Sequence, residues 1–136
     1  MADTIQRVEY FYVEAAHKPG EGARALGLLR DAGVNLLAFS GFPAGRRAQL
    51  DFVPSDAKAF REAARKAKWK VTGPRRAFMI QGDDRAGAMA DVMGKLATAG
   101  INVTAVEAVC AGAGRYGAIL WVKPADVNRA SKVLGV

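Results

Sequence analysis

Cysteine and histidine are almost missing from this sequence. The 136-residue chain carries one of each, Cys110 and His17, so one chain can form neither an internal disulfide nor a multi-cysteine or two-histidine metal site. No apolar run approaches the roughly 20 residues of a helical membrane span. The opening MADTIQRVEY lacks the basic patch and apolar core of a secretory signal. These absences lead to the expectation of a cytoplasmic protein with no metal, no cofactor and no membrane partner, in which Cys110 is a buried, inert thiol. A recognisable nucleophile elbow is also lacking, and no nucleophile, base and orienting group share a spacing. Catalytic residues are therefore expected to be none, and the chain not to be an enzyme.

What is present is an ordinary globular composition, 51% hydrophobic and 24% charged, with a net charge of +7. The positive excess is spread along the chain, with 12 basic and 8 acidic residues up to position 70 and 8 and 5 after it. Its densest run, Arg61, Arg65, Lys66, Lys68, Lys70, Arg75 and Arg76, reads first as the solvated face of a helix and the turn after it. Nucleic acid is accordingly an unlikely partner.

The chain repeats itself. KPGEGARALGLLRDAGVNLLAF at residues 18–39 and RAGAMADVMGKLATAGINVTAV at residues 85–106 align without a gap. Gly20 pairs with Gly87, Gly33 with Gly100 and Asn35 with Asn102, at a constant offset of 67 residues. Each copy alone is short for an independent core, so the two are expected to share buried surface with each other or with a second subunit.

In the first copy, residues 6–15 alternate β-branched and aromatic side chains and predict a strand, with Phe11 and Val13 on one face and Val8, Tyr10 and Tyr12 on the other. Ala25, Leu26, Leu29 and Ala32 form the apolar stripe of a helix over 23–32, which Gly33 stops. Strands are predicted at 35–42 and 48–53, a helix from a Ser55 or Asp56 cap to Lys68, and a short fourth strand at 69–72 before a break at Gly73-Pro74. The second copy repeats the order with a strand at 75–81, a helix at 86–99 with Met89, Val92, Met93 and Leu96 inward, strands at 102–110 and 115–123, and a helix at 125–134. A fourth strand is not evident there.

The expected fold class is α+β: two ferredoxin-like βαββαβ units in tandem, at 1–73 and 74–136, with antiparallel sheets in strand order 4-1-3-2 and helices on one face. Unit two's first strand would then be a bare edge needing cover. Candidate covers are the strand at Trp69, exchanged from unit one, or an element from a second subunit.

At the loop and helix of each unit, KPGEGARALGLLRDAGVNL and RAGAMADVMGKLATAGINV resemble the ACT domain family, the ligand-sensing modules of amino-acid metabolism. The resemblance covers nearly the whole chain. It implies a regulatory protein that binds a small molecule, an amino acid above all, where two such units or subunits meet. It also implies a homodimer that acts on a separate regulated partner protein. The ligand-binding positions it implies are His17, Gly20, Glu21 and Asn35 in unit one, and Asp84, Gly87, Ala88 and Asn102 in unit two.

Physical chemistry supports these positions independently of the family. A helix N-terminus offers free N–H groups and partial positive charge to a carboxylate, glycine lets a ligand approach the backbone, and an Asn amide both donates and accepts. Plainer roles are also open: Asn35 and Asn102 as satisfiers of turn backbone, His17 as a surface residue, Asp84 as a helix N-cap. The alternative function is nucleic-acid binding in the manner of RNA-recognition motifs. These share the βαββαβ order, and Arg115 to Trp121 faintly resembles their third strand, although Ile119 and Val122 stand where stacking aromatics are expected.

Overall fold

The computed structural model describes residues 3–136. Its elements are β1 (Thr4–Ala16), α1 (Glu21–Asp31), β2 (Leu36–Ala44), β3 (Arg47–Pro54), α2 (Ala57–Lys66), β4 (Thr72–Asp83), α3 (Ala88–Thr98), β5 (Val103–Gly112), β6 (Arg115–Val122) and, after a 3-10 turn at Pro124–Asp126, α4 (Val127–Leu134). They gather into two compact units. The N-terminal unit is Glu9–Arg75, and the C-terminal unit is Arg76–Val136 together with the described residues up to Val8.

In the N-terminal unit the strand order is β2-β3-β1-β4. β1 and β3 run antiparallel with Phe11 opposite Phe52, and β2 and β3 do so with Phe39 opposite Phe52. Alternation along β1 sends Phe11 and Val13 toward the helices, where they are buried with Leu29 of α1 and Phe60, Ala63 and Ala64 of α2. Three phenylalanines organise this core, with Phe11 and Phe52 each against Phe60 at 5.0 and 5.4 Å between ring centroids. Asp56 caps α2, its carboxylate accepting from the N–H groups of Lys58 and Ala59 at 3.0 and 3.2 Å.

The C-terminal unit has the order β1-β4-β6-β5, with Phe78 opposite Leu120 in the antiparallel β4–β6 pair. Its core joins Phe78, Ile80 and Leu120 to Val92 and Leu96 of α3 and to Ala130 and Leu134 of α4. Of the four residues expected to face inward from α3, Val92 and Leu96 are buried, Met89 packs against the core margin, and Met93 is half-buried.

Both units therefore realise the ferredoxin-like order 4-1-3-2, and each fourth position is filled from a long strand. Thr72–Arg75, the beginning of β4, supplies it in the N-terminal unit, and Thr4–Val8, the beginning of β1, supplies it in the C-terminal unit. The edge expected to lie bare is thus covered by neither of the two candidate covers, but by residues 4–8.

Two further expectations are corrected. Residues 69–71 lie outside any strand. Trp69 instead turns its indole onto the core, stacked on Phe52 at 5.8 Å, because burial of so large an apolar ring outweighs a short ladder of edge hydrogen bonds. Gly73-Pro74 does not break the chain: β4 passes straight through this pair, whose peptide bond is cis. Gly73 has φ 132°, and a Cβ there would stand 2.9 Å from both the Phe11 ring and the Tyr10 carbonyl oxygen, so only glycine fits against β1.

Candidate functional site

Each unit turns from a strand into a helix through a left-handed glycine. Gly20 (φ 92°) and Gly87 (φ 77°) occupy the N-cap positions of α1 and α3, and neither helix start receives a side-chain cap. First-turn N–H groups at such a start are open to an anion. The two corners differ in what lies around them.

At the N-terminal unit's corner a cavity of about 280 Å³ opens beside the first turns of α1. Val13, Ala25, Leu28, Leu50 and Trp69 give it apolar walls, and Glu14, Glu21, Arg24 and Lys70 stand as charges of both signs around it. This is just below the range of about 300–1,000 Å³ usual for small-molecule sites, as suits a small ligand. Glu21 pairs with Arg24 one turn on; the carboxylate side chain is 17% exposed and the guanidinium 71%. A partly enclosed carboxylate, two cations and an indole wall form the kind of setting that holds a small zwitterion with an apolar side chain. Arg24 comes from α1 and the adjacent Trp69 and Lys70 from the segment before β4, two stretches 45 positions apart, which is why sequence spacing does not single them out. His17 is exposed in the loop before Gly20.

The C-terminal unit's corner is occupied by its own side chains. Arg85 donates from Nη1 and Nη2 to the two carboxylate oxygens of Asp3, at 3.1 and 3.2 Å. This hydrogen-bonded guanidinium holds the Asp3 carboxyl below its ordinary range. Asp83 accepts from Arg115 at 2.8 Å. The Asp84 backbone N–H donates to the Gly114 carbonyl at 2.8 Å. Its carboxylate interacts with Cys110, which, with a smaller contribution from burial, pushes that thiol's pKa up. Asp84 is therefore not the helix N-cap. Cys110 is exposed rather than buried as expected, because the β5 side chains beyond Val103 all lie exposed. Ala88 is buried, leaving only its backbone to meet a ligand.

Asn35 and Asn102 lie beyond the far ends of α1 and α3, and both are exposed. The backbone carbonyl of Asn35 accepts from the N–H and hydroxyl of Ser55 at 3.0 and 3.2 Å. An 11-residue helix is about 16 Å long, so within one unit the asparagine and the glycine corner do not meet. Structure thus groups His17, Gly20 and Glu21 in one place and Asp84, Gly87 and Ala88 in another, with each asparagine apart.

The arrangement of β6 disfavours base stacking. Tyr116 is buried in the C-terminal core and Trp121 is 9% exposed, so neither aromatic is free to receive a nucleotide. Among the described residues no group of three or more histidine, cysteine or acidic side chains is placed to hold a metal ion, and no helix is long and apolar enough to cross a membrane.

No known family model matches the sequence, and no curated protein resembles it significantly. Solved structures do. A protein from Bacteroides thetaiotaomicron superposes with TM-score 0.81 at 17% identity, over 96% of this chain and 88% of that one. A structure of aspartokinase alpha and beta subunits follows with 0.65 at 17%, over 98% and 95%. The ligand-free regulatory subunit of aspartate kinase from Thermus thermophilus gives 0.64 at 15%, over 99% and 96%. At such identities the likeness is one of fold.

Proposed function

We propose that this chain is a non-catalytic regulatory module that binds a small amino acid or a like zwitterion and, as a homodimer, conveys its occupancy to a separate partner protein. The observation that carries the reading is the mixed-charge, indole-walled cavity beside the uncapped start of α1, in a fold shared with regulatory subunits of aspartate kinase. First-turn N–H groups after Gly20 would receive the ligand carboxylate, and Glu21 its ammonium, with His17 at the rim. Asp84, Gly87 and Ala88 are the corresponding positions of the second copy. Asn35 and Asn102, remote from these corners within a unit, would contribute where a second copy of the chain lies alongside. A ligand that favours one packing over another shifts the balance between them, which is the physical content of regulation here.

Calorimetric titration of the folded protein with each free amino acid tests the reading. A saturable heat from one or a few of them is expected. It should be weakened by Glu21→Gln and by Asn35→Ala with Asn102→Ala. No heat from any amino acid, in protein shown by light scattering to be a dimer, would overturn it.

A further inference from the structure

The carboxylate of Asp3 is held in the C-terminal unit as a bound ligand's would be. Two parallel bonds from Arg85 reach its two oxygens, the geometry by which guanidinium groups recognise carboxylates. Beneath it lies Gly82, where a Cβ would collide with Asp3 Oδ1 and crowd the Tyr116 ring. Tyr116 is 5% exposed. Its hydroxyl is buried without a hydrogen-bond partner, and its proximity helps Arg85 to lower the Asp3 pKa. Arg85 is itself aimed by the Asp83 carbonyl at 3.1 Å and by Asp91 at 3.8 Å. The Asp3 side chain is 10% exposed in this setting, against 37% for Arg85.

A surface ion pair between a strand start and a loop needs only the two charges. It does not need a glycine floor, nor a buried phenol beside the anion. We propose that Gly82, Arg85 and Tyr116 form a carboxylate-binding cradle that the chain's own Asp3 fills, so that a free small carboxylate enters only in competition with Asp3. The inference stands on these contacts and is independent of amino-acid binding at the N-terminal unit's corner. A tethered group competes at an effective concentration of the order of millimolar or above, so weak free carboxylates are excluded while Asp3 is in place. The unit is then self-liganded, and removal of one side chain uncovers a receptor for acetate-like anions.

Acetate is the probe. In the full chain, Asp3→Ala is expected to melt below wild type, and sodium acetate to recover part of that loss saturably, where sodium chloride at equal ionic strength does not. Amide and guanidinium NMR signals of Gly82 and Arg85 should shift with acetate in Asp3→Ala and in Asp3→Ser, the latter keeping a short polar side chain that leaves the carboxylate's place empty should the alanine variant fold poorly. Wild type, and Asp3→Ser combined with Arg85→Gln, should respond no more to acetate than to chloride. An acetate response no larger than that to chloride in folded Asp3→Ser would overturn the cradle, as would an acetate response in wild type as large as that of Asp3→Ser.

Discussion

The indole of Trp69 stacks on the ring of Phe52 with centroids 5.8 Å apart and planes 24° from parallel. It also meets Phe60 at 6.3 Å and walls the cavity beside α1. One residue thus links the N-terminal core to the candidate ligand corner. Trp69→Ala is expected to cost roughly 3 kcal/mol, at the low end for truncating a large aromatic because the indole is only partly buried. Urea denaturation followed by far-UV circular dichroism measures it, and Trp69→Phe should recover most of the loss.

Asp51 is 7% exposed, on the sheet face opposite the helices, and accepts from Gln49 Nε2 at 2.8 Å. Burial raises its pKa, against the opposing pull of Gln49 and of Arg75. A carboxyl raised in the folded state stabilises fully below the unfolded value near 3.9 and loses that contribution as pH rises through the folded one. Asp51→Asn keeps an oxygen for Gln49 and carries no charge. It should therefore stabilise the protein at neutral pH, by on the order of 1 kcal/mol. The gain should vanish below about pH 4, which melting curves across pH 3–8 would reveal.

Asp3 carries the opposite sign. Arg85 lowers its pKa, aided by Tyr116 and, at longer range, Lys95, so the stabilisation is present above the ordinary Asp value near 3.9 and fades as pH falls through the lowered one. Arg85→Gln should reduce the melting temperature at pH 7. The difference from wild type should shrink on acidification below about pH 4, as scanning calorimetry at stepped pH would record.

Glycine is demanded to different degrees at two positive-φ sites. At Gly73 a Cβ would meet backbone and ring at 2.9 Å, whereas at Gly20 nothing lies within 4 Å. Gly73→Ala should therefore destabilise by about 3 kcal/mol or more, and Gly20→Ala by only about 1 kcal/mol of backbone strain. Chemical denaturation of the two variants side by side distinguishes a steric requirement from a conformational one.

Much of the fold is legible because it is written in local periodicity. The stripe through Ala25 and Leu29, the stops at Gly33 and Gly100 and the 67-residue offset yield the βαββα order of each copy and the 4-1-3-2 plan, but not the residues that fill the fourth position in either unit. Non-local pairing is not written that way. Nothing in TIQRV indicates that it lies beside β4, more than 60 residues on, and a proline within a run ordinarily argues against a continuous strand. Trp69 reads equally well as strand or core. The candidate site is legible at Glu21, which follows a helix-opening glycine. Asp3 and Arg85 are joined only in three dimensions, 82 positions apart.

The interlocking of β1 and β4 sets a rule for dissecting the molecule. A cut between residues 73 and 74 would yield two fragments, one carrying a surplus strand start and the other an open flank. A polypeptide of residues 76–136 alone should therefore aggregate or stay unfolded, and grafting Asp3–Val8 onto it through a loop should restore solubility.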